Sequence, residues 1–262
     1  MILYISIFII IIFYFGNFLL YKVYTNKSIE TMENSQYIYF IKKDTLYNIL
    51  KNDEDNYYKT FYHLDFKTRN INNIEEYINY IKKSVYNPTE KEKKKIKKCI
   101  NSANSRLKEI HFNWFNGNKA KELQWNIGCI QGKLYENGLP HTRGNIIILS
   151  KKDINEYSEI KLTNTLIHEK VHIYQKKYSN DVEEYLNEYN FKILKKRDES
   201  DNIRSNPDLN NFIYKDNNNN IYKATYKNNP KSIEDIVYSP INNQSYEHPF
   251  EKMAIFIENY NI

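Results

Sequence analysis

Residues Thr165–Gln175 read TLIHEKVHIYQ, and the reading of this stretch decides the rest. His168, Glu169 and His172 stand in the pattern H-E-x-x-H, and positions four apart on a helix lie on one face about one turn apart. Two imidazoles so placed suit one zinc ion, with the intervening glutamate set as a general base rather than a ligand. The chain holds 6 histidines in 262 residues, so the pattern arises by accident on the order of once in a hundred such chains. At 100° per residue, Leu162, Leu166 and Ile173 form one apolar stripe, and Ile167, Val171, Tyr174 and Tyr178 form another. The His pair lies between them. A helix buried on two sides with a metal-capable face between is what an active-site helix needs, because apolar walls keep bulk water out.

Catalytic zinc takes three protein ligands and leaves one position open, so a third ligand must come from elsewhere in the chain. Position 178, six residues past His172, is Tyr rather than a third His, and no Gly-Thr-x-Asp segment supplies an aspartate. That leaves a glutamate, and two compete. Glu188 in LNEYNF shares its segment with Glu183, Glu184, Lys192 and Lys195, the pattern of a solvated helix face. Glu251 in YEHPFEKMAIF follows Pro249, which fixes the start of a helix, and Ala254 is small enough to let two helices cross closely. Glu251 is therefore the preferred third ligand and Glu188 the alternative. An oxyanion donor is expected near it; Tyr246, His248 and Tyr238 are the available groups, with Tyr246 taken as the catalytic one.

Outward from this centre, Gly144–Leu149 (GNIIIL) and Trp125–Lys133 read as strands. The NIIILS run is either a surface for an extended peptide or a buried support for the helix. His141 in LPHTRG reads as a turn histidine, and Asn206, Pro207 and Asp208 read as a turn without chemistry. Helices are expected at 159–178 and 180–195, and again from Pro249. Two Tyr-rich segments around DNNNN (216–220) predict a hairpin. Towards the N-terminus, Asn73 is placed to cap a helix carrying Ile74, Tyr77, Ile78 and Ile81, and another starts near Thr89 with Glu90 and Glu92 in its first turn. Its lysine-rich face at 91–98 reads first as a solvated face and second as a contact for lipid or a partner. Residues 28–60 lack a clean period and read as a stalk or short helices.

The first 21 residues, MILYISIFIIIIFYFGNFLLY, carry no charged side chain, and about 20 helical residues span the hydrocarbon core of a bilayer. This predicts a transmembrane helix, since a basic n-region and a small-residue cleavage site are both missing. Lys22 and Lys27 follow on its C-terminal side and place the body of the protein in the cytosol. Lys and Arg total 38 against 32 acidic residues, a net charge of +6, too slight to imply nucleic-acid binding. Two cysteines, Cys99 and Cys129, form no CxxC pair, which excludes a disulfide framework or thiolate zinc cage and suits a reducing compartment.

The HExxH helix with a glutamate third ligand resembles the zincin metallopeptidases of the glutamate-liganded branch. The tail SYEHPFEKMAIFIE is similar to the PxExxA segment of lethal-factor-type peptidase domains, and YENGLPHTRGNIIILS resembles the edge strand that precedes their active-site helix. The likeness covers about residues 105–260 and extends to metallopeptidase-like proteins of large DNA viruses. It lacks the NExxSD form of the third-ligand helix, since Tyr189, Asn190, Phe191 and Lys192 follow Glu188. The resemblance implies an α+β, zincin-like fold: a small mixed sheet with an active-site helix and a helical C-terminal part. It implies that His168, His172 and Glu251 bind Zn2+ and that Glu169 is the general base. The expected organisation is an anchor at 1–24, a stalk and helical part at 25–104 and a metallopeptidase domain at 105–262. The expected function is a membrane-anchored, single-pass zinc metalloendopeptidase acting on peptide or protein substrates. The rival reading is a non-catalytic membrane-tethered module whose zinc site is structural or a relic.

Overall fold

Local capping sets the helix starts. In the computed structural model, which describes residues 37–240 and 246–260, the Asn73 side chain accepts from the Glu76 N–H and opens a helix at Ile74–Ser84. Thr89 and Glu92 form a reciprocal capping box that opens Glu90–Leu107. In chain order the elements are β1 (Ile38–Phe40), α1 (Lys43–Asn52), α2 (His63–Thr68), α3 (Ile74–Ser84), α4 (Glu90–Leu107), β2 (His111–Phe112), β3 (Phe115–Asn116) and α5 (Gly117–Glu122). They continue with β4 (Trp125–Ile130), β5 (His141–Arg143), β6 (Ile146–Ser150), α6 (Lys151–Glu156), α7 (Glu159–Lys177) and α8 (Ser179–Glu188). The last are β7 (Lys192–Lys196), β8 (Phe212–Lys215), β9 (Ile221–Tyr226), β10 (Ile236–Ser239) and α9 (Pro249–Glu258). The helix expected over 180–195 stops at Glu188, because Asn190 takes a left-handed φ of 57° and the chain turns into β7. The expected hairpin is β8–β9, with Tyr214 opposite Tyr222.

The fold is α+β. One sheet has the order β1-β4-β6-β5, with β4 and β6 parallel and β5 antiparallel to β6. The NIIILS run is therefore interior strand β6, flanked on both sides and buried throughout, and it offers no edge to a peptide. A second, antiparallel sheet runs β10-β9-β8-β7. Residues 39–262 make one compact unit. Leu46, Leu50, Tyr77 and Ile81 from the first helices share a core with Ile130, Ile146 and Ile148 of the sheet. Of the two readings for 28–60, the described residues take the short helices, preceded by strand β1, and these pack on the same sheet as the later elements. Gly128 makes this packing possible: a Cβ there would meet side-chain atoms of Leu46 and Ile148 at 2.8 Å. No helix among the described residues is long and apolar enough to cross a membrane, and the predicted anchor at 1–24 lies outside them.

A buried polar network joins the first helices to the rest. Glu136, Asn137 and Gly138 all take positive φ, of 45°, 54° and 71°, a strained turn that points the Glu136 carboxylate inward. Arg69 grips that carboxylate with two bonds, Nε to Oε1 at 2.9 Å and Nη2 to Oε2 at 2.8 Å, and Tyr57 and Tyr77 donate to it as well. Asp65 accepts from the Ser205 N–H and hydroxyl at 2.9 and 2.8 Å and from Tyr226 at 3.0 Å. Arg197 reaches Asp65 at 3.4 Å and Ser205 at 2.8 Å. Burial alone would raise the Glu136 pKa, but the Arg69 charge and its hydrogen bonds outweigh it and hold the group down at about 2. A carboxylate depressed from 4.5 to about 2 contributes about 3 kcal/mol of stability, present above pH 4.5 and lost as pH falls towards 2. Chemical denaturation of the wild type should show this loss between pH 5 and pH 2. Glu136→Gln should be less stable by about 3–5 kcal/mol at pH 7, with Arg69 left uncompensated, and should show a flatter acid limb.

Candidate metal centre

Helix α7 opens on Ser158, whose side chain accepts from the Lys161 N–H, and packs between α4 and α9 and against β5 and β6. Both predicted stripes are interior: Leu162, Leu166, Ile167, Val171, Ile173 and Tyr174 are all buried. Arg106 of α4 ties the three helices together, donating to the Asn164 side chain of α7 and to the Glu258 carbonyl at the end of α9. Lys170, turned away from the His pair, is fully buried; its ammonium donates to the carbonyls of Leu123 and Gln124 and sits 4.1 Å from the Trp125 ring centroid. Burial pushes that amine well below its ordinary pKa. It anchors α7 to the start of β4.

On the remaining face, His168 and His172 of α7 meet Glu251 of α9. Their Nε2 atoms are 3.1 Å apart, and the Glu251 carboxylate lies 3.3 Å from His168 Nε2 and 3.7 Å from His172 Nε2. Among the described residues this trio is the one group of three or more His, Cys, Asp or Glu spaced to hold a metal ion. Bonds of 2.0–2.1 Å at tetrahedral angles place ligand atoms about 3.3 Å apart, and the observed separations bracket that value. The outer nitrogens are also engaged. His168 Nδ1 lies 3.1 Å from Glu258 Oε2, and His172 Nδ1 lies 2.9 Å from Gln175 Oε1, whose amide in turn donates to the Phe250 carbonyl at 2.9 Å. Because a carboxylate and an amide oxygen can only accept, both Nδ1 atoms carry a proton, and it is Nε2 of each ring that faces inward. The donor set fits zinc.

Charge follows from this crowding. Burial would lower the His168 pKa, but hydrogen bonds to Glu251 and Glu258 outweigh it and carry it well above the ordinary range. His172 is pushed down by burial, against the pull of Asp208 and Glu251. Burial would raise Glu251, yet the two histidines and Arg204 hold it below the usual carboxylate range.

A cleft of about 300 Å³ opens on this cluster, walled by His141, Arg204, Asn206, Pro207, Asp208 and Tyr238 among others. Glu169 lines it and is 4% exposed, with Oε2 buried and without a hydrogen-bond partner. Burial, reinforced by the Asp208 charge, pushes the Glu169 carboxyl well above its ordinary pKa. A buried carboxyl oxygen left without a hydrogen-bond partner is uncommon and marks Glu169 as a candidate functional group.

Other candidates land elsewhere. The Glu188 carboxylate accepts from the Trp114 indole at 3.0 Å and stands outside the trio. Tyr246 is not among the residues walling the cleft. His248 caps α9, with Nδ1 accepting from the Phe250 N–H at 3.1 Å and Nε2 donating to Asn210 at 3.1 Å; burial pushes it down to about 3. Of the three expected oxyanion donors, Tyr238 alone faces the cleft. His141 is buried between the Leu139 carbonyl and the Tyr135 hydroxyl. The turn at 206–208 does join the site: Asn206 donates to Glu251 at 3.2 Å and to Glu247 at 2.9 Å. Two supporting residues were missed although helical spacing points to them, Gln175 three past His172 and Glu258 seven past Glu251. No protein family, curated protein or solved structure matches the chain.

Replacing Glu258 with Gln, or Gln175 with Ala, should weaken Zn2+ affinity by about 10–100-fold in competition with a chromophoric chelator. Glu188→Gln should leave it unchanged.

Proposed function

We propose that the protein is a zinc-dependent metallopeptidase of the zincin type, with His168, His172 and Glu251 as zinc ligands and Glu169 as general base. The observation that carries this reading is the convergence of two inward Nε2 atoms and a carboxylate, at tetrahedral spacing, in the wall of a cleft that Glu169, with one buried oxygen lacking a hydrogen-bond partner, also lines. Zinc, when bound, supplies the Lewis acidity that makes water a nucleophile near neutral pH and polarises a substrate carbonyl.

The chain's own groups do the rest. Glu169 takes a proton from the attacking water as its oxygen bonds to the carbonyl carbon and the carbonyl electron pair moves onto oxygen. Glu169 then passes that proton to the amide nitrogen as the C–N bond breaks, leaving a carboxylic acid and an amine. Its buried setting, which raises the carboxyl pKa in the metal-free protein, is opposed by a divalent cation nearby. The balance suits a group that must both accept and return a proton. Glu258 and Gln175 hold the imidazoles in the productive tautomer, and the apolar flanks of α7 keep other water out. Attachment to a membrane is part of the same proposal, supported by the uncharged run at 1–21.

Elemental analysis of the purified full chain in mild detergent should find about one zinc per chain, lost in His168→Ala and Glu251→Gln. Glu169→Gln should keep the metal while hydrolysis of a fluorogenic peptide library falls by about 10²–10⁴-fold. A wild-type chain that takes up no zinc on reconstitution would overturn the reading. A chain that binds zinc without cleaving any peptide would favour the non-catalytic module.

A further inference from the structure

The peptidase reading leaves one requirement unmet: a donor for the carbonyl oxygen as it becomes negative. His248 is locked as a helix cap, Tyr246 does not wall the cleft, and Tyr238 sits at its rim, 39% exposed. Among the described residues walling the cleft, Arg204 is the one Lys or Arg, set against carboxylates at Glu169, Asp208, Glu247, Glu251 and Glu258.

Arg204 is held as a functional group would be. Its N–H donates to the Ala224 carbonyl at 3.0 Å, and the adjoining residues are pinned by the Ile203–Thr225 bridge and by the Ser205–Asp65 bonds. The side chain is 12% exposed, and its Nη2 donates to Glu247. That ion pair holds the guanidinium against Glu247, while Nε is buried with no hydrogen-bond partner. Arg204 walls the same cleft as Glu251 and Tyr238, and its charge acts on both. Buried guanidinium donors are rarely left unmet, and a planar fork beside a reaction centre matches a developing oxyanion better than a lone hydroxyl does. A guanidinium that served only to neutralise Glu247 would not need a place in the cleft wall.

We propose that Arg204 is a further catalytic residue of this site, donating to the substrate carbonyl oxygen as that oxygen takes up negative charge, with Glu247 as its positioning residue. The proposal rests on the zinc peptidase reading. The probes are inorganic phosphate, a tetrahedral anion that imitates the charged oxygens, and acetohydroxamate, which holds zinc without needing a second cation. Both are titrated calorimetrically into the zinc-loaded full chain, with zinc content and melting temperature measured in parallel. Arg204→Gln should weaken phosphate binding by at least about tenfold while acetohydroxamate stays within about twofold and zinc is retained. If phosphate affinity is unchanged, if both probes weaken alike, or if the zinc-loaded wild type binds no phosphate, the assignment of Arg204 is wrong while the zinc site stands. A wild-type chain without zinc overturns the peptidase reading and Arg204's role with it. Should Arg204→Gln fail to fold, Arg204→Lys keeps the ion pair and loses the fork. It should then weaken phosphate alone by about threefold or more, and equal affinity would overturn the proposal.

Discussion

Two imidazole Nε2 atoms 3.1 Å apart, with a carboxylate oxygen 3.3 Å from one of them, rest together only with a proton or a cation among them. Every element around the site serves to hold that unfavourable arrangement in place. The outer nitrogens are tied to Glu258 and Gln175, so neither ring can rotate to relieve it. Gln175 is itself tied to the backbone of α9, and Arg106 locks α9 to α4 and α7. In the absence of a metal a proton at His168 satisfies the arrangement, and the hydrogen bonds to Glu251 and Glu258 raise its pKa. A divalent cation meets it more fully, since three donors then gain a bond at once.

Rigidity of this order needs an anchored wall opposite α7, and the buried network around Asp65 and Glu136 supplies it. The wall residues Arg204–Asp208 belong to a connection between two strands, the kind of segment that ordinarily moves on the surface. Here Ser205 is bonded to Asp65 through both its N–H and its hydroxyl, and Arg69 and Arg197 bracket the pair. The helices before residue 105 thus do more than enlarge the core. They hold one side of the cleft, and the Glu136 turn, strained as it is, persists because Arg69 makes two bonds to it.

The chain reveals its helices well where side chains cap them locally: Asn73, Thr89 and Ser158 each sit one position before a helix whose apolar face has a clear period. The trio was legible for a different reason, since HExxH and the Pro-x-Glu start of α9 are short patterns with a geometric meaning. What stayed hidden depends on contacts distant in sequence. β5 is three residues long and is a strand only because β6 accepts it. Arg204 and Asn206 lie 36 and 38 residues beyond His168 in a stretch whose local signal is a turn. Nearness in sequence to Glu251 is no guide either: Tyr246, five residues before it, is not among the residues walling the cleft.

The edge of the first sheet carries one more constraint. In β5 the backbone of Thr142 is taken on its outward side: its N–H donates to Asp208 at 2.6 Å, and its carbonyl accepts from Lys176 at 3.3 Å. Lys176 also donates to the Pro207 carbonyl at 3.0 Å, so the 206–208 turn and α7 together close this edge. Arg143, held by Asp53 and Asp55, fixes the strand from its other end. An extended chain cannot pair with Thr142 unless the turn that also carries Asn206 to Glu251 gives way. Main-chain pairing at the β5 edge and the bond on the third donor are therefore coupled through three consecutive residues. In the conformation described, a molecule entering the cleft meets side chains such as Glu169, Arg204 and Tyr238 rather than an open strand.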